Sequence, residues 1–373
     1  MSNKNRFMES TKSYYLYELQ EKYTGQDWMS VIPRTYSIDG NGTMPRILKS
    51  ENEEICTEPE VNPYRYQYFT FESLEDDNRF SFNMTVVIHT PSGNRYVAEP
   101  RTISASTDGG QTWLEWTSSF GGTHKIMLNA GEKLLLKGEN DSYADVIVDE
   151  YGTNIPHCVL EGEKNFKIYG NIMSLVSGDN FAENKTITKD YAFYFFLSGK
   201  LTTESGVTGN FNIKDISNLV LPATTLTKGC YYRLFSQFAS ITTAPELPAT
   251  TLGEHCYEGM FLGCTSLTTA PALPATTLAE FCYQYMFNGC TSLTTAPELP
   301  ATTLAEYCYR YMFNGCTSLN YIKCLATDIS AIGCTTDWVN GVSSTGTFVK
   351  KAAMTGWTRG KNGIPTGWTI QNA

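Results

Sequence analysis

The sequence is poor in charge. Lys and Arg number 28 and Asp and Glu 38, so charged residues make up 18% of the 373 and the formal balance is −10. A chain of that sign lacks the basic surface that sequence-independent binding to phosphate backbones requires, and nucleic acid is not an expected partner. Long apolar runs are also missing. No window approaches the roughly 18 uninterrupted apolar residues of a membrane span, so membrane insertion is not expected. The first residues, Met1 to Glu21, carry charges throughout and hold no apolar h-region, which leads to the expectation of a chain without a common export signal and with reduced thiols. Only four histidines are present (His89, His124, His157 and His255), and they are scattered. No P-loop, G-x-S-x-G, H-E-x-x-H or paired metal motif occurs, so nothing in the residues calls for an enzyme, a metal or another cofactor. What is plentiful is apolar material: 41% hydrophobic and 13% aromatic residues, enough for a large core.

Cysteine is the exception to the scarcity of chemistry, with eleven in all and nine between Cys230 and Cys334. An odd count in a long chain is not the even set of a small secreted disulfide framework. The cysteines follow a repeat. LPATTL recurs at Leu221–Leu226, Leu247–Leu252, Leu273–Leu278 and Leu299–Leu304, a step of 26 each time. The copies Leu247 to Ala272 and Leu273 to Glu298 differ at six positions, and a degenerate fifth copy runs from Cys324 to Cys334. A fixed period in this range with spaced leucines predicts a leucine-rich-type solenoid with one short strand and one or two helical turns per coil. Cys282, Met286 and Cys290, at i, i+4 and i+8, define one face of the predicted helix, with Gly289 near its end. Pro297 and Pro300 bracket Leu299 in an extended segment. The spacing is wrong for a metal site and no base recurs beside a thiol. Cys230, Cys256, Cys264, Cys282, Cys290, Cys308 and Cys316 are therefore expected as a ladder of buried free thiols.

The repeat LPATTLAEFCYQYMFNGCTSLTTAPE resembles the BspA-type leucine-rich repeat of bacterial surface and phage-encoded proteins. The likeness lies in the LP strand, the aromatic before a Cys, then Leu and the next Pro. The family's repeat is somewhat shorter, which makes this a lengthened variant. Gly346-Thr347-Phe348-Val349, Gly356-Trp357 and Gly367-Trp368-Thr369 resemble the terminal piece that often follows such arrays. The resemblance covers residues 166–373 and implies adhesion or scaffolding rather than catalysis.

The first half reads differently. Phe80, Phe82, Met84, Val86 and Ile88 alternate as a strand face does, and turn signals recur every 8–12 residues or so, which predicts a β-sandwich-like domain. Ser106, Asp108, Gly110, Thr112 and Trp113 fit the Asp-box pattern S-x-D-x-G-x-T-W. A single box is expected to brace a hairpin and not to form a catalytic centre.

The expected architecture is thus multidomain α+β. An N-terminal docking or anchoring segment spans 1–65, a β-sandwich-like domain 66–165, a leucine-rich-repeat solenoid of 26-residue coils 166–335 (with an irregular first coil at 166–215), and a C-terminal cap 336–373. Near-identical copies differ at His255, Phe281 and Tyr307, at Glu258, Gln284 and Arg310, and at Gly259, Tyr285 and Tyr311. Apart from Gly259, these form a candidate ligand-contact strip beside the Cys-Met-Cys face, since Tyr and Arg are common contact residues; neutral drift after duplication is the competing reading. The expected function is a phage virion fibre or capsid-decoration protein that attaches to a host-surface glycan or protein and joins other assembly proteins through its N-terminal region. A cell-surface adhesin is the alternative, and a glycan-processing enzyme rests on the one Asp-box alone. Fibres are commonly homo-oligomers, so self-association is a further expectation.

Overall fold

The computed structural model describes residues 63–89, 93–149, 152–198, 201–202, 206–207 and 212–373. The docking segment expected at 1–65 lies, but for its last residues, outside them. Asn62–Ala373 form one compact unit. Among the described residues no helix is long and apolar enough to cross a membrane.

The α+β leucine-rich solenoid is not what the chain forms. Among the described residues strands account for 30%, in many small sheets and no closed barrel, and the α-helix is the four-residue Ser174–Ser177. No repeat contains the expected helical turns. The reason is visible in the backbone of one coil. Gln284, Met286, Asn288 and Cys290 donate their N–H to the carbonyl three residues back, at 3.0–3.1 Å. Phe281, Tyr283, Tyr285, Phe287 and Gly289 instead donate 25 residues ahead, to Glu306, Cys308, Arg310, Met312 and Asn314, at 2.8–3.1 Å. An α-helix would place every donor on the fourth carbonyl back and leave none for a neighbouring coil. Here half of the donors tie coil to coil.

This winding repeats every four residues, with a left-handed φ at Phe281, Tyr285 and Gly289 and at the matching His255, Gly259 and Gly263. Such a φ costs a non-glycine residue on the order of 1–2 kcal/mol. The same coil fully buries Cys282, Tyr283, Met286, Phe287, Cys290 and Leu293. At about 1.5–3 kcal/mol for each large apolar side chain, burial outweighs the strain. Since the winding period is four, residues at i, i+4 and i+8 still share a face, and the Cys-Met-Cys face lies in the core although no helix carries it. Glu254, Glu280 and Glu306, which recur once per coil, take part in the coil-to-coil bonding through their carbonyls, which accept the N–H of Gly229, His255 and Phe281.

The extended sides of the coils meet mostly at single bridges, such as Thr225 with Thr251 and Thr295 with Tyr321. Proline has no N–H to continue a ladder. The degenerate copy shows the effect. Lys323 and Ala326 stand there one period after Pro297 and Pro300, and Tyr321–Cys324 forms a true strand. It pairs in parallel with Thr347–Lys350, which pairs in turn with Thr369–Asn372.

In the first half two sheets face each other. One runs in the order Ile213–Asp215, Phe166–Asn171, Phe69–Ser73, Lys133–Lys137, Thr102–Ser106, Leu114–Thr117, with Leu219–Val220 also on Phe166–Asn171. The other joins Cys158–Gly162, Asn78–Met84 and Ser119–Phe120, with Lys125–Leu128 also on Asn78–Met84. Aromatic rings fill the space between them: Phe71 lies 5.4 Å from Phe80 and 5.1 Å from Phe166, and Phe82 lies 5.9 Å from Trp116. The single apolar run expected from Phe80 to Ile88 is broken at Thr85, whose N–H and Oγ1 both donate to the His157 carbonyl. Beyond it Val86–His89 pairs with Asn94–Val97 as a separate hairpin.

The core runs without interruption from these sheets into the coils. Tyr143 stacks on Phe193, Phe193 on Tyr231, and a column of buried rings continues through Tyr257, Tyr283 and Tyr309 to Trp338 at 5.8–6.1 Å spacings. A second column of Phe235, Phe261, Phe287 and Phe313 also reaches Trp338. The indole N–H of Trp338 donates to the Gly363 carbonyl at 2.8 Å, which holds the C-terminal segment on the last coil.

Candidate binding surface: a half-buried aromatic and polar band

From His255 to Tyr311 the aromatic residues with left-handed φ are half-buried, on the outside of the winding. Stacking at one-coil intervals turns them into rails. His255, Phe281 and Tyr307 stack at 4.4 and 4.8 Å, each pair parallel to within 6°. Tyr285 and Tyr311, four residues further along their coils, stack at 4.8 Å and 7°. These separations are close to the ~4.8 Å between neighbouring strands, so one ring per coil fills the rail. The rails stop where glycine occupies the position. A Cβ on Gly333 would lie 2.4 Å from the Tyr307 ring, and one on Gly259 would lie 2.9 Å from Cγ of Arg233.

Between the rails runs a polar column of Tyr232, Glu258, Gln284 and Arg310, one residue per coil. The strip expected from the sequence is therefore brought together on one side of the stack, but not as an exposed surface. The rings are half-buried, and Glu258 and Gln284 are only 5% and 7% exposed. The four-residue winding is responsible, since Gln284 and its equivalents stand three residues after one rail position and one before the next.

The charges in this column have different surroundings. The Glu258 carboxylate meets His255 Nδ1 at 2.5 Å and accepts a hydrogen bond from the Tyr232 hydroxyl at 3.3 Å. Burial, with Glu258 beside it, pushes the Tyr232 phenol up to about 12. The Arg310 guanidinium lies 5.5 Å from the Tyr307 ring and 5.1 Å from the Tyr311 ring. Arg233 is placed in the same way between Phe195 and Tyr232, at 5.6 and 5.5 Å. Nε of both arginines and Oε1 of Gln284 are buried without a hydrogen-bond partner. Within each rail the ring faces are stacked on one another.

The thiols form an interior column. Cys230, Cys256, Cys264, Cys282, Cys290, Cys308 and Cys316 are all free and fully buried. Three donate across coils: Cys264 Sγ to the Phe235 carbonyl, Cys290 Sγ to Phe261 and Cys316 Sγ to Phe287, at 3.0–3.2 Å. Burial raises the thiol of each, that of Cys316 to about 12. Such thiols are poor nucleophiles. Among the described residues no group of three or more His, Cys, Asp or Glu is placed to hold a metal ion.

The Asp-box residues join Thr102–Ser106 to Leu114–Thr117. Asp108 accepts hydrogen bonds from Ser106 Oγ, the Gln111 and Thr112 N–H groups and Thr112 Oγ1 at 2.6–3.0 Å, while the Gly110 N–H donates to Ser106 Oγ. These donors hold the carboxyl far below the usual range. Trp113 packs edge-on to Tyr68 at 4.9 Å under the Lys137 ammonium. The hydrogen bonds of the Asp108 carboxylate all stay within its own hairpin. Sequence reasoning passed over one concavity, an open hollow of about 460 Å³ lined by Arg101, Glu139, Asn140, Asp141, Ser142 and Lys189. Its residues come from three separate segments, so no motif marks it, and Arg101 is already bonded to Asp145, the Ser142 carbonyl and the Glu99 carbonyl. Comparison of the chain with protein-family models, with curated proteins and with solved structures found no match.

Proposed function

We propose that this chain is a non-enzymatic binding protein, a virion fibre or decoration protein, and that the band from Arg233 to Arg310 contacts a glycan on a host surface. One observation carries the reading. The copies Leu247 to Ala272 and Leu273 to Glu298 differ at six positions, and three of these (His255 against Phe281, Glu258 against Gln284, Gly259 against Tyr285) fall in the band. The surrounding core repeats unchanged. Half of the variation thus falls in the band, and the residue types there, aromatic, acid, amide and guanidinium, are those that recognise ligands. Stacked coils hold these groups in rigid register, which limits the entropy lost on binding.

The test is a glycan panel probed with the wild type and with a triple variant, Tyr285→Ala, Tyr311→Ala and Arg310→Ala, whose fold is checked by circular dichroism. Loss of the bound glycan is expected, and binding unchanged by the triple substitution overturns the proposal. The setting has its own measurement: mass spectrometry should find the chain in purified virions, whereas recovery with cell envelopes points to a surface adhesin.

A further inference from the structure

The polar column is not equivalent along its length, and its Arg310 end differs from the rest. Four arginines can be compared, three of them half-buried and Arg359 exposed. Arg101 donates to two carbonyls and to Asp145, and Arg359 donates to the carbonyls of Pro365 and Trp368. Arg233 and Arg310 each lie over two aromatic rings, and Nε of each is buried and unpartnered. Arg233 is walled on one side by the Gly259 backbone, against which its own stem lies. Arg310 is held near two tyrosine rings, those of Tyr307 and Tyr311.

One coil before it, in the same column, stands Gln284, more than nine-tenths buried and with Oε1 unbonded. A buried acceptor and a buried charge-bearing donor without partners each cost about 1–3 kcal/mol or more. A ligand that satisfies both would recover that cost. The acid of the column does not compete for Arg310, because Glu258 lies two coils away and is engaged by His255 and Tyr232. The other acid nearby, Asp337, is paired with Lys361 at 2.8 Å. Lys361 is itself largely exposed and adds positive charge next to Tyr311.

Resting on the glycan-binding reading above, we infer that the Arg310 end of the band selects an acidic sugar. A sugar carboxylate would pair with the Arg310 guanidinium and a neighbouring hydroxyl would donate to Gln284 Oε1. The planar, two-pronged guanidinium matches a carboxylate, and its position near two rings fixes that plane before the ligand arrives. An acid on a pyranose also places a hydroxyl donor close to the carboxylate.

The experiment uses the full chain and oligogalacturonate as the probe, measured by calorimetry beside the same oligosaccharide with its carboxyls reduced to alcohols. The acidic form should bind roughly 10- to 100-fold more tightly, the range of one charge-assisted hydrogen-bonded pair. That advantage should disappear in Arg310→Gln, fall in Arg310→Lys, and shrink as salt is raised. Equal binding of the acidic and reduced forms overturns this inference and leaves the band as a neutral-glycan surface. An acidic preference that survives Arg310→Gln also overturns it. Absence of binding to every glycan, neutral or acidic, overturns both readings. A polyglutamate peptide bound as tightly as the sugar acid overturns the choice of a sugar.

Discussion

Cys290 donates its thiol hydrogen to the carbonyl of Phe261, 29 residues earlier, at 3.2 Å. The same bond joins Cys316 to Phe287 and Cys264 to Phe235. Cysteine recurs at this position because it is small enough for the interior and still supplies a weak donor to a carbonyl on the preceding coil.

The thiols should be silent in the native protein. An aromatic disulfide reagent at pH 8 should label almost none of the ten described cysteines until the chain is unfolded, and rapid labelling of the native form would contradict the packing.

Alkali should unfold the coils. Burial raises the thiols of Cys316 and Cys324 to about 12, above their value of 9.0 when unfolded. A group raised on folding contributes its stability fully below the unfolded value and loses it as pH climbs through the folded one. Urea midpoints should therefore hold steady to about pH 9 and decline between there and pH 12. A flat profile across that window would show the thiols to be solvated.

Acid should weaken the Asp-box hairpin in the opposite sense. The Asp108 carboxyl is lowered on folding by its Thr112 and Ser106 donors, so its contribution is present above its ordinary value of 3.8 and is lost as pH falls below it. Asp108→Asn should lower Tm at pH 7 and should flatten the acid side of the stability profile. An unchanged Tm would mean that the bonded carboxylate does not support the hairpin.

Gly229 has φ of 57°, and a Cβ there would fall 2.4 Å from the Tyr191 ring. Gly229→Ala should cost about 1–3 kcal/mol through strain and displacement of that ring. Gly131→Ala serves as the control, for it shares a positive φ of 82° but has nothing within 4 Å. Equal losses in denaturant midpoint for the two would assign the cost to backbone conformation alone.

Both ring columns meet at Trp338, which stacks on Trp357 at 5.5 Å and donates to the Gly363 carbonyl. Trp338→Ala should cost roughly 3–5 kcal/mol, the range for deleting a buried large aromatic. Hydrogen exchange should rise first in Thr347–Lys350 and Thr369–Asn372, which stack beyond it. Exchange that rises uniformly would argue that the last coils unfold together with the rest.

Much of the array was legible because its physical basis is local and repeated. The step of 26, the Leu299 segment flanked by prolines and the burial of Cys282, Met286 and Cys290 all follow from residue spacing, and any winding of period near four yields the same inward face. The candidate strip was found through differences between copies, which mark positions that the core does not constrain.

The conformation of each coil was not legible in the same way. Phe281 and Tyr285 occupy a left-handed region that aromatic residues avoid, and no property of either residue alone predicts it. They are held there because the N–H groups of the winding reach carbonyls 25 residues ahead and because each ring lies against the ring of the next coil. Those partners exist only once the coils are stacked. The sequence by itself determined the period and which side chains face inward; the tertiary structure decided that the backbone turns instead of forming helix, and that Glu258 and Gln284 lie between rails and not on an open surface. Long-range hydrogen bonds and ring stacking outweigh the small intrinsic preference of each residue, and this is why local signals failed at those positions.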